Sequence, residues 1–335
     1  MIARGQFMDI DTGAHNLAKT YREPAREVAR PLSAVIIANP VSGSFPQHYA
    51  HSLDETLSFL RQRDWQVDLH ITKAPGGARQ LAREAVTQDV DIVIAAGGDG
   101  TINEIIQELA GSKTALGVLP YGTVNIWARE MGIPLQIVDA RKVLLNGQIR
   151  SIDLGRCNDR FFLLMAGIGI DGAVTQAIEK KPVKRLGALG YLLIATWLGL
   201  GYPNFQARLR INNKRPVKLR ALQIIVGNTQ LYGGALKFTW EAKCDDGQLD
   251  VCVVRKRSML GRIFVVIDFL LGRKNRQQWV RYYTATSIEI NTRQPVAIQI
   301  DGEPVGHTPA SFIIAPGALK VLVPQKIPRG LFSKE

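Results

Sequence analysis

At 335 residues, 46% hydrophobic and 21% charged, the chain has the composition of a globular protein, which excludes a disordered or fibrous one, and is long enough for one large or two ordinary domains. The formal charge of +13 favours anionic partners such as nucleic acid, an acidic membrane surface or a phosphorylated ligand. Cys157, Cys244 and Cys252 suit neither a zinc site nor a disulfide frame, so reduced thiols in a cytoplasmic protein are expected.

Residues 1–32 are polar and charged, without a core-forming pattern or secretory-type apolar stretch, and read as a flexible extension. A short docking helix over Leu17–Val28 stays open. From residue 33, short apolar runs alternate with helical periodicity. Ala34–Ala38 reads as a strand buried on both faces, and Gln47–Arg63 as a helix with Leu53, Leu57 and Leu60 on one face. Val67–Ile71 is the next strand, Gly77–Val86 the next helix and Ile92–Ala96 a third strand. Ile102, Ile105, Ile106 and Leu109 then recur at i, i+3, i+4 and i+7, the stripe of a helix packed on one face, with Gly111 closing it. Leu116–Leu119 is a fourth strand. This alternation predicts a parallel sheet covered by helices over residues 33–150, with residues 318–330 a candidate to complete it.

After Ser151 the pattern changes. Phe205, Ala207, Leu209 and Ile211 alternate with polar residues, as do Val296, Ile298 and Ile300, marking half-buried, antiparallel strands. Further strands are expected over 161–166, 219–226, 249–254, 287–290 and 311–315, so residues 151–317 form a second, mostly β domain. Leu186–Tyr202 is apolar but broken by four glycines and falls short of the about 20 residues that span a bilayer, which makes it a buried or interfacial helix. An amphipathic helix is expected over Met259–Leu271.

Gly97-Gly98-Asp99-Gly100-Thr101 lies between a buried strand and a helix. There, unpaired N–H groups and the helix dipole favour a phosphate, and glycine lets the backbone approach it. The turn is neither the dinucleotide fingerprint nor the Walker loop. Asn39–Ser44 and Leu119–Asn125 end neighbouring strands and can converge on the same crevice. Each loop alone is an ordinary turn; three together are not.

In this order, Asn39-Pro40-x-Ser42-Gly43, Gly97-Gly98-Asp99-Gly100-Thr101 and Leu119-Pro120-x-Gly122-Thr123-x-Asn125 resemble the diacylglycerol kinase catalytic-domain family. Ile152-Asp153-Leu154-Gly155, Gly167-Ile168-Gly169-x-Asp171 and Ile300-Asp301-Gly302-Glu303 continue the resemblance, which covers about Ser33 to Pro324. The bacterial soluble lipid kinases are the most similar members, with sphingosine and ceramide kinases as relatives. The resemblance implies an α/β ATP-binding domain of the phosphofructokinase and NAD kinase type followed by a β-sandwich lipid-substrate domain. It implies ATP-dependent phosphorylation of a lipid alcohol, with diacylglycerol the leading acceptor and Mg²⁺ as cofactor. The implied ATP contacts are Asn39, Thr72, Gly97, Gly98, Asp99, Gly100, Thr101, Asn103 or Glu104, and Thr123.

The implied general base is Asp301, with Glu303 beside it. On a strand the two carboxylates would share a side and raise each other's pKa; a plain Asp-Gly hairpin turn is the competing reading. Where the family usually has an aspartate after Gly-Thr-x-Asn, this chain has Ile126, leaving Asp99 and Asp153 as candidates to hold the catalytic Mg²⁺ through water. The Lys243 and Gln248 carbonyls with the Asp246 carboxylate are the implied structural Mg²⁺ site, weighed evenly against a surface turn.

The implied partner is a lipid at an anionic membrane surface, approached peripherally from the cytoplasm by the basic segments Lys180–Arg185 and Arg255–Arg276. A homodimer is compatible with the sequence. No nucleic-acid module is present, so no nucleic acid is expected. Two alternatives remain: an NAD kinase-like phosphotransferase, and an idle lipid-binding protein that Ile126 makes conceivable.

Overall fold

The computed structural model describes residues 26–27, 32–40, 46–179, 202–232, 236–255 and 280–333. The expected helices over Leu186–Tyr202 and Met259–Leu271 fall outside these residues, apart from Tyr202, as do Lys180–Arg185 and most of Arg255–Arg276. In the N-terminal extension, strand β1 (Arg26–Glu27) pairs antiparallel with Ile149 and Gln148 of β6 (Gln148–Cys157). This pairing replaces the docking helix at those two positions.

Four strands, β2 (Ser33–Ala38), β3 (Gln66–Ile71), β4 (Ile92–Gly97) and β5 (Ala115–Pro120), form a parallel sheet in the order β3-β2-β4-β5. All six residues of β4 and of β5 are buried, because helices cover both faces and leave no place for a polar side chain. The covering helices are α1 (Pro46–Arg61), α2 (Gly77–Thr87), α3 (Asp99–Leu109), the short α4 (Ile126–Met131) and α5 (Ile137–Asn146). In α3 the apolar stripe Ile102, Ile105, Ile106 and Leu109 is buried, as its spacing predicts. The chain runs from β2 to β3 on one side, then returns past β2 to β4 on the other. At such a switch point the loops leaving β2 and β4 diverge and open a crevice.

The second unit begins with β7 (Arg160–Phe162), β8 (Met165–Gly169) and α6 (Ile170–Glu179). It continues through β9 (Phe205–Ile211), β10 (Val217–Gly227), the ribbon β11 (Leu231–Tyr232) and β12 (Leu236–Lys237), and β13 (Leu249–Arg255). β14 (Val280–Ala285), β15 (Ser287–Thr292), β16 (Ala297–Ile300), β17 (Glu303–His307) and β18 (Ala310–Val323) complete it. Its neighbouring strands pair antiparallel around a second core. There Phe162 and Phe312 meet edge-on at 6.5 Å, surrounded by Ile168, Leu209, Ile224 and Val251. The single strand expected over 161–166 is two, because Leu163 and Leu164 leave the ladder and donate their N–H groups to Asp301.

The long β18 joins the two units. It pairs with β15 and along β6, then runs parallel to β5 through Lys320 opposite Ala115. All three cysteines are buried and free. Among the described residues no helix is long and apolar enough to cross a membrane.

Candidate active site

The crevice at the switch point is built on glycine contacts. Gly98 is extended and precedes the first turn of α3. Its neighbour across the crevice is Gly122: a Cβ on Gly122 would sit 2.4 Å from the Cα of Gly98 and 2.6 Å from Asn125 Oδ1. The glycine turn and the loop after β5 therefore touch backbone to backbone, which only glycine allows. Asn125, at φ 52°, clamps the second loop: its Oδ1 accepts from the Gly122 N–H at 2.9 Å and its Nδ2 donates to the Gly122 and Pro120 carbonyls. Asn39 Nδ2 donates to Thr101 Oγ1 at 3.2 Å, tying the loop after β2 to the turn. The Thr72 N–H is bonded to the Ala38 carbonyl at the same sheet edge, and Thr123 is exposed beside the turn. Of the first loop, residues 41–45, including Ser42 and Gly43, lie outside the described residues.

Two acidic residues of α3 have work that sequence reading did not reveal. The Asp99 carboxylate accepts the N–H groups of Ile126 and Trp127 at 3.0 and 3.1 Å, capping α4. Burial raises its pKa, against those two bonds and the Arg129 charge. Position 126 thus meets Asp99 through its backbone, which an isoleucine supplies as well as an aspartate. Glu104 points away from the turn and accepts from Gly76 and Ala78 at the start of α2.

The other wall comes from the β-rich unit. Asp301 and Gly302 form the tight turn between β16 and β17, at φ 47° and 87°, the left-handed pair that Asp-Gly favours. The turn reading and the functional one therefore hold together. The Asp301 side chain folds inward. Its Oδ1 accepts from the N–H groups of Leu164 and Met165, and its Oδ2 from the Leu163 N–H at 2.7 Å and Asn103 Nδ2 at 2.9 Å. Burial pushes its pKa up to about 6 while these four donors pull it down. The two carboxylates do not share a strand face as expected: Asp301 sits in the turn with its side chain folded inward, and Glu303 Oε2 pairs with Arg160 Nη2 at 2.5 Å. Gly100, Asn103 and Gln107 line one side of α3 and meet Glu303, Asp301 and Phe161 respectively. The base candidate is thus fastened to the helix that carries the glycine turn.

Asp153 is elsewhere. Its carboxylate accepts from the Gly247 and Gly317 N–H groups at 2.6 and 2.7 Å, beside Asp245 and Asp246. These bonds set it beside the Lys243–Gln248 loop, where Asp246 Oδ1 accepts the Gln248 N–H. Among the described residues no three His, Cys, Asp or Glu side chains converge on a point that could hold a metal. A cation in this loop would rest mainly on carbonyl oxygens.

Burial raises the pKa of Asp153 and Asp301 to about 6 and of Glu130 and Asp250 to about 7. Folded values above the unfolded ones give stability that is full below about pH 4 and lost as pH rises through about 7. Glu108, lowered to about 2 by Arg83 and Arg79, acts oppositely, but only below its unfolded value. In chelator, the melting temperature is expected to be several degrees higher at pH 5 than at pH 8. A flat or rising profile would contradict the burial of these groups.

Residues 33–157 match the diacylglycerol kinase catalytic domain, and residues 165–323 match the YegS C-terminal NAD kinase beta sandwich-like domain. A diacylglycerol kinase of Bacillus subtilis is 30% identical over 298 residues, covering 88% of this chain and 97% of that protein. A YegS-like lipid kinase of Chromohalobacter salexigens is 31% identical over 296 residues, covering 87% and 93%. The crystal structure of a Bacillus anthracis diacylglycerol kinase superposes with a TM-score of 0.67 over 88% of this chain and 97% of that one, at 22% identity, and so supports the fold alone. The chain, an α/β domain followed by a mostly antiparallel β domain, belongs to the diacylglycerol kinase family of bacterial soluble lipid kinases and is a lipid kinase.

Proposed function

We propose that this kinase transfers the γ-phosphate of ATP to a lipid hydroxyl, with Asp301 as general base. The observation that carries the reading is the Asp301 carboxylate, bonded to Asn103 on the helix whose N-terminus carries the glycine turn. ATP lies across the crevice, its phosphates against the backbone of Gly97 to Thr101, with Asn39, Thr72 and Thr123 on the rims. The hydroxyl oxygen bonds to the γ-phosphorus, the bond from that phosphorus to the β,γ-bridging oxygen breaks, ADP leaves, and the hydroxyl proton passes to Asp301. Glu303, paired with Arg160, closes the wall above Gly100.

The residues present fit magnesium: Asp99, a carboxylate within the phosphate turn whose two oxygens each accept one backbone N–H, would hold it, since Mg²⁺ is ordinarily held by one or two carboxylates and the phosphates themselves. When bound, it neutralises phosphate charge. A second cation is proposed on the Lys243 and Gln248 carbonyls and the Asp246 carboxylate, in a loop where Asp245 and Asp246 raise the pKa of Asp153.

Diacylglycerol is the first acceptor to test, in a panel with phosphatidylglycerol and a sphingoid base, by labelled-phosphate transfer from Mg-ATP. No labelled lipid from any acceptor would sink the reading.

We further propose an anionic membrane as the docking surface. Arg208, Lys218, Arg220 and Arg293 are exposed on the sheet around β9, with Arg255 at their edge, and Lys218 lies directly opposite Arg208. Like charges so paired are destabilising without a counter-charge. At about 1 kcal/mol per cation, neutralising Arg208, Lys218 and Arg220 to Gln should weaken binding to phosphatidylglycerol vesicles roughly 100-fold. Unchanged flotation with such vesicles would rule this face out.

A further inference from the structure

Arg160, at the start of β7, donates through Nη2 both to Glu303 Oε2 at 2.5 Å and to Asn103 Oδ1 at 3.2 Å. Asn103 is buried, and its other end, Nδ2, donates to Asp301 Oδ2. The two ends of a carboxamide are chemically opposite, and which one faces which neighbour is decided by the partners. A guanidinium has five donors and no acceptor, so only the oxygen of Asn103 can face it. The NH₂ is then turned to the carboxylate. Reversed, the amide would set its NH₂ against a guanidinium and its oxygen against a carboxylate.

We propose that Arg160 is a positioning residue for phosphoryl transfer: acting through the Asn103 amide, it keeps a hydrogen-bond donor on the Asp301 carboxylate. The inference rests on the reading of Asp301 as base. The other donors on Asp301 are backbone N–H groups of residues 163–165, which side-chain rotation cannot withdraw. Asn103 is the donor that can turn over, and Arg160 is the group that prevents it. Among the described residues, the charged side chains bonded to this assembly are Arg160 from β7 and Glu303 from β17. The three acids of α3 face elsewhere, Asp99 toward α4, Glu104 toward the start of α2, and Glu108 toward Arg79 and Arg83 of α2.

A donor to the ionised form favours ionisation, so its loss raises the pKa of the base. The test is the pH profile of kcat/KM between pH 5 and 9 for Arg160→Leu, Arg160→Lys, Asn103→Leu and the Arg160→Leu/Asn103→Leu double variant. Arg160→Leu and Asn103→Leu are each expected to move the acid limb up by about one pH unit. The double variant moves it no further than Asn103→Leu, because both lose the same donor. Arg160→Lys, which keeps a donor toward Asn103, restores part of the shift. An acid limb unmoved in Arg160→Leu, or additive shifts in the double variant, overturns the proposal. Asp301→Asn run alongside separates the two claims: wild-type activity there removes the base itself, whatever Arg160 does. The Arg160–Glu303 pair is over one-third exposed, so its loss should leave the melting curve nearly unchanged.

Discussion

Asp301→Asn is expected to lower kcat by about 10²–10⁴, the range that general acid–base catalysis supplies, with little change in the KM for ATP. The substitution keeps shape and removes basicity. It also costs stability, for a reason specific to this site. Four donors converge on the carboxylate, two on each oxygen. An asparagine has one acceptor and one NH₂, so one pair, either Leu164 and Met165 or Leu163 and Asn103, would face a donor. An unsatisfied buried donor costs about 1–3 kcal/mol, so the variant should melt at a lower temperature as well as turn over slowly. The wild-type pH profile carries a second signature. With Asp301 at about 6, kcat/KM should fall below that pH as the base takes up its proton, and the variant should lack this limb. An Asp301→Asn enzyme within a few-fold of wild type would exclude the carboxylate as base.

Gly122→Ala is expected to be nearly as damaging without touching the chemistry. Its new Cβ would lie 2.4 Å from the Cα of Gly98 and 2.6 Å from Asn125 Oδ1. Neither neighbour is the free end of a flexible side chain: one is backbone of the phosphate turn, the other the atom that clamps the Gly122 loop. The two loops must move apart. Overpacking of this kind costs about 1–3 kcal/mol, and a displacement of about 1 Å in a positioning element costs on the order of 10² in rate. Gly100→Ala is the comparison in stability. Its Cβ would sit 3.5 Å from Glu303 Oε1, an ordinary contact, and inside a helix alanine is favoured over glycine. Calorimetry should therefore show Gly122→Ala melting well below Gly100→Ala. Equal melting temperatures would mean the loops are not in contact in solution.

Local pattern made the first domain and its turn legible. Buried strands such as Ile92–Ala96 are uniformly apolar because helices cover both faces, and the stripe of Ile102 to Leu109 records the single face that α3 buries. The three loops follow these strands directly, so the crevice at the sheet's edge could be read from the order of elements. Ile126 looked like a loss because sequence shows side chains. The interaction at that position runs through its N–H to Asp99.

What the sequence by itself determined is therefore most of the elements and the glycine turn Gly97–Thr101; the candidate base came only with the family resemblance. Periodicity, small residues and turn chemistry act within a few neighbours along the chain. Only the tertiary structure decided what each acid does. Asp301 draws its donors from residues 138 and 198 positions away, Asp153 is bonded to Gly247 and Gly317, and Glu104 serves the start of α2. A carboxylate at a turn can face solvent, a helix end or a buried seam with the same local sequence. The choice is made by which backbone N–H groups the packing of two domains leaves without a partner, since a buried donor must be satisfied.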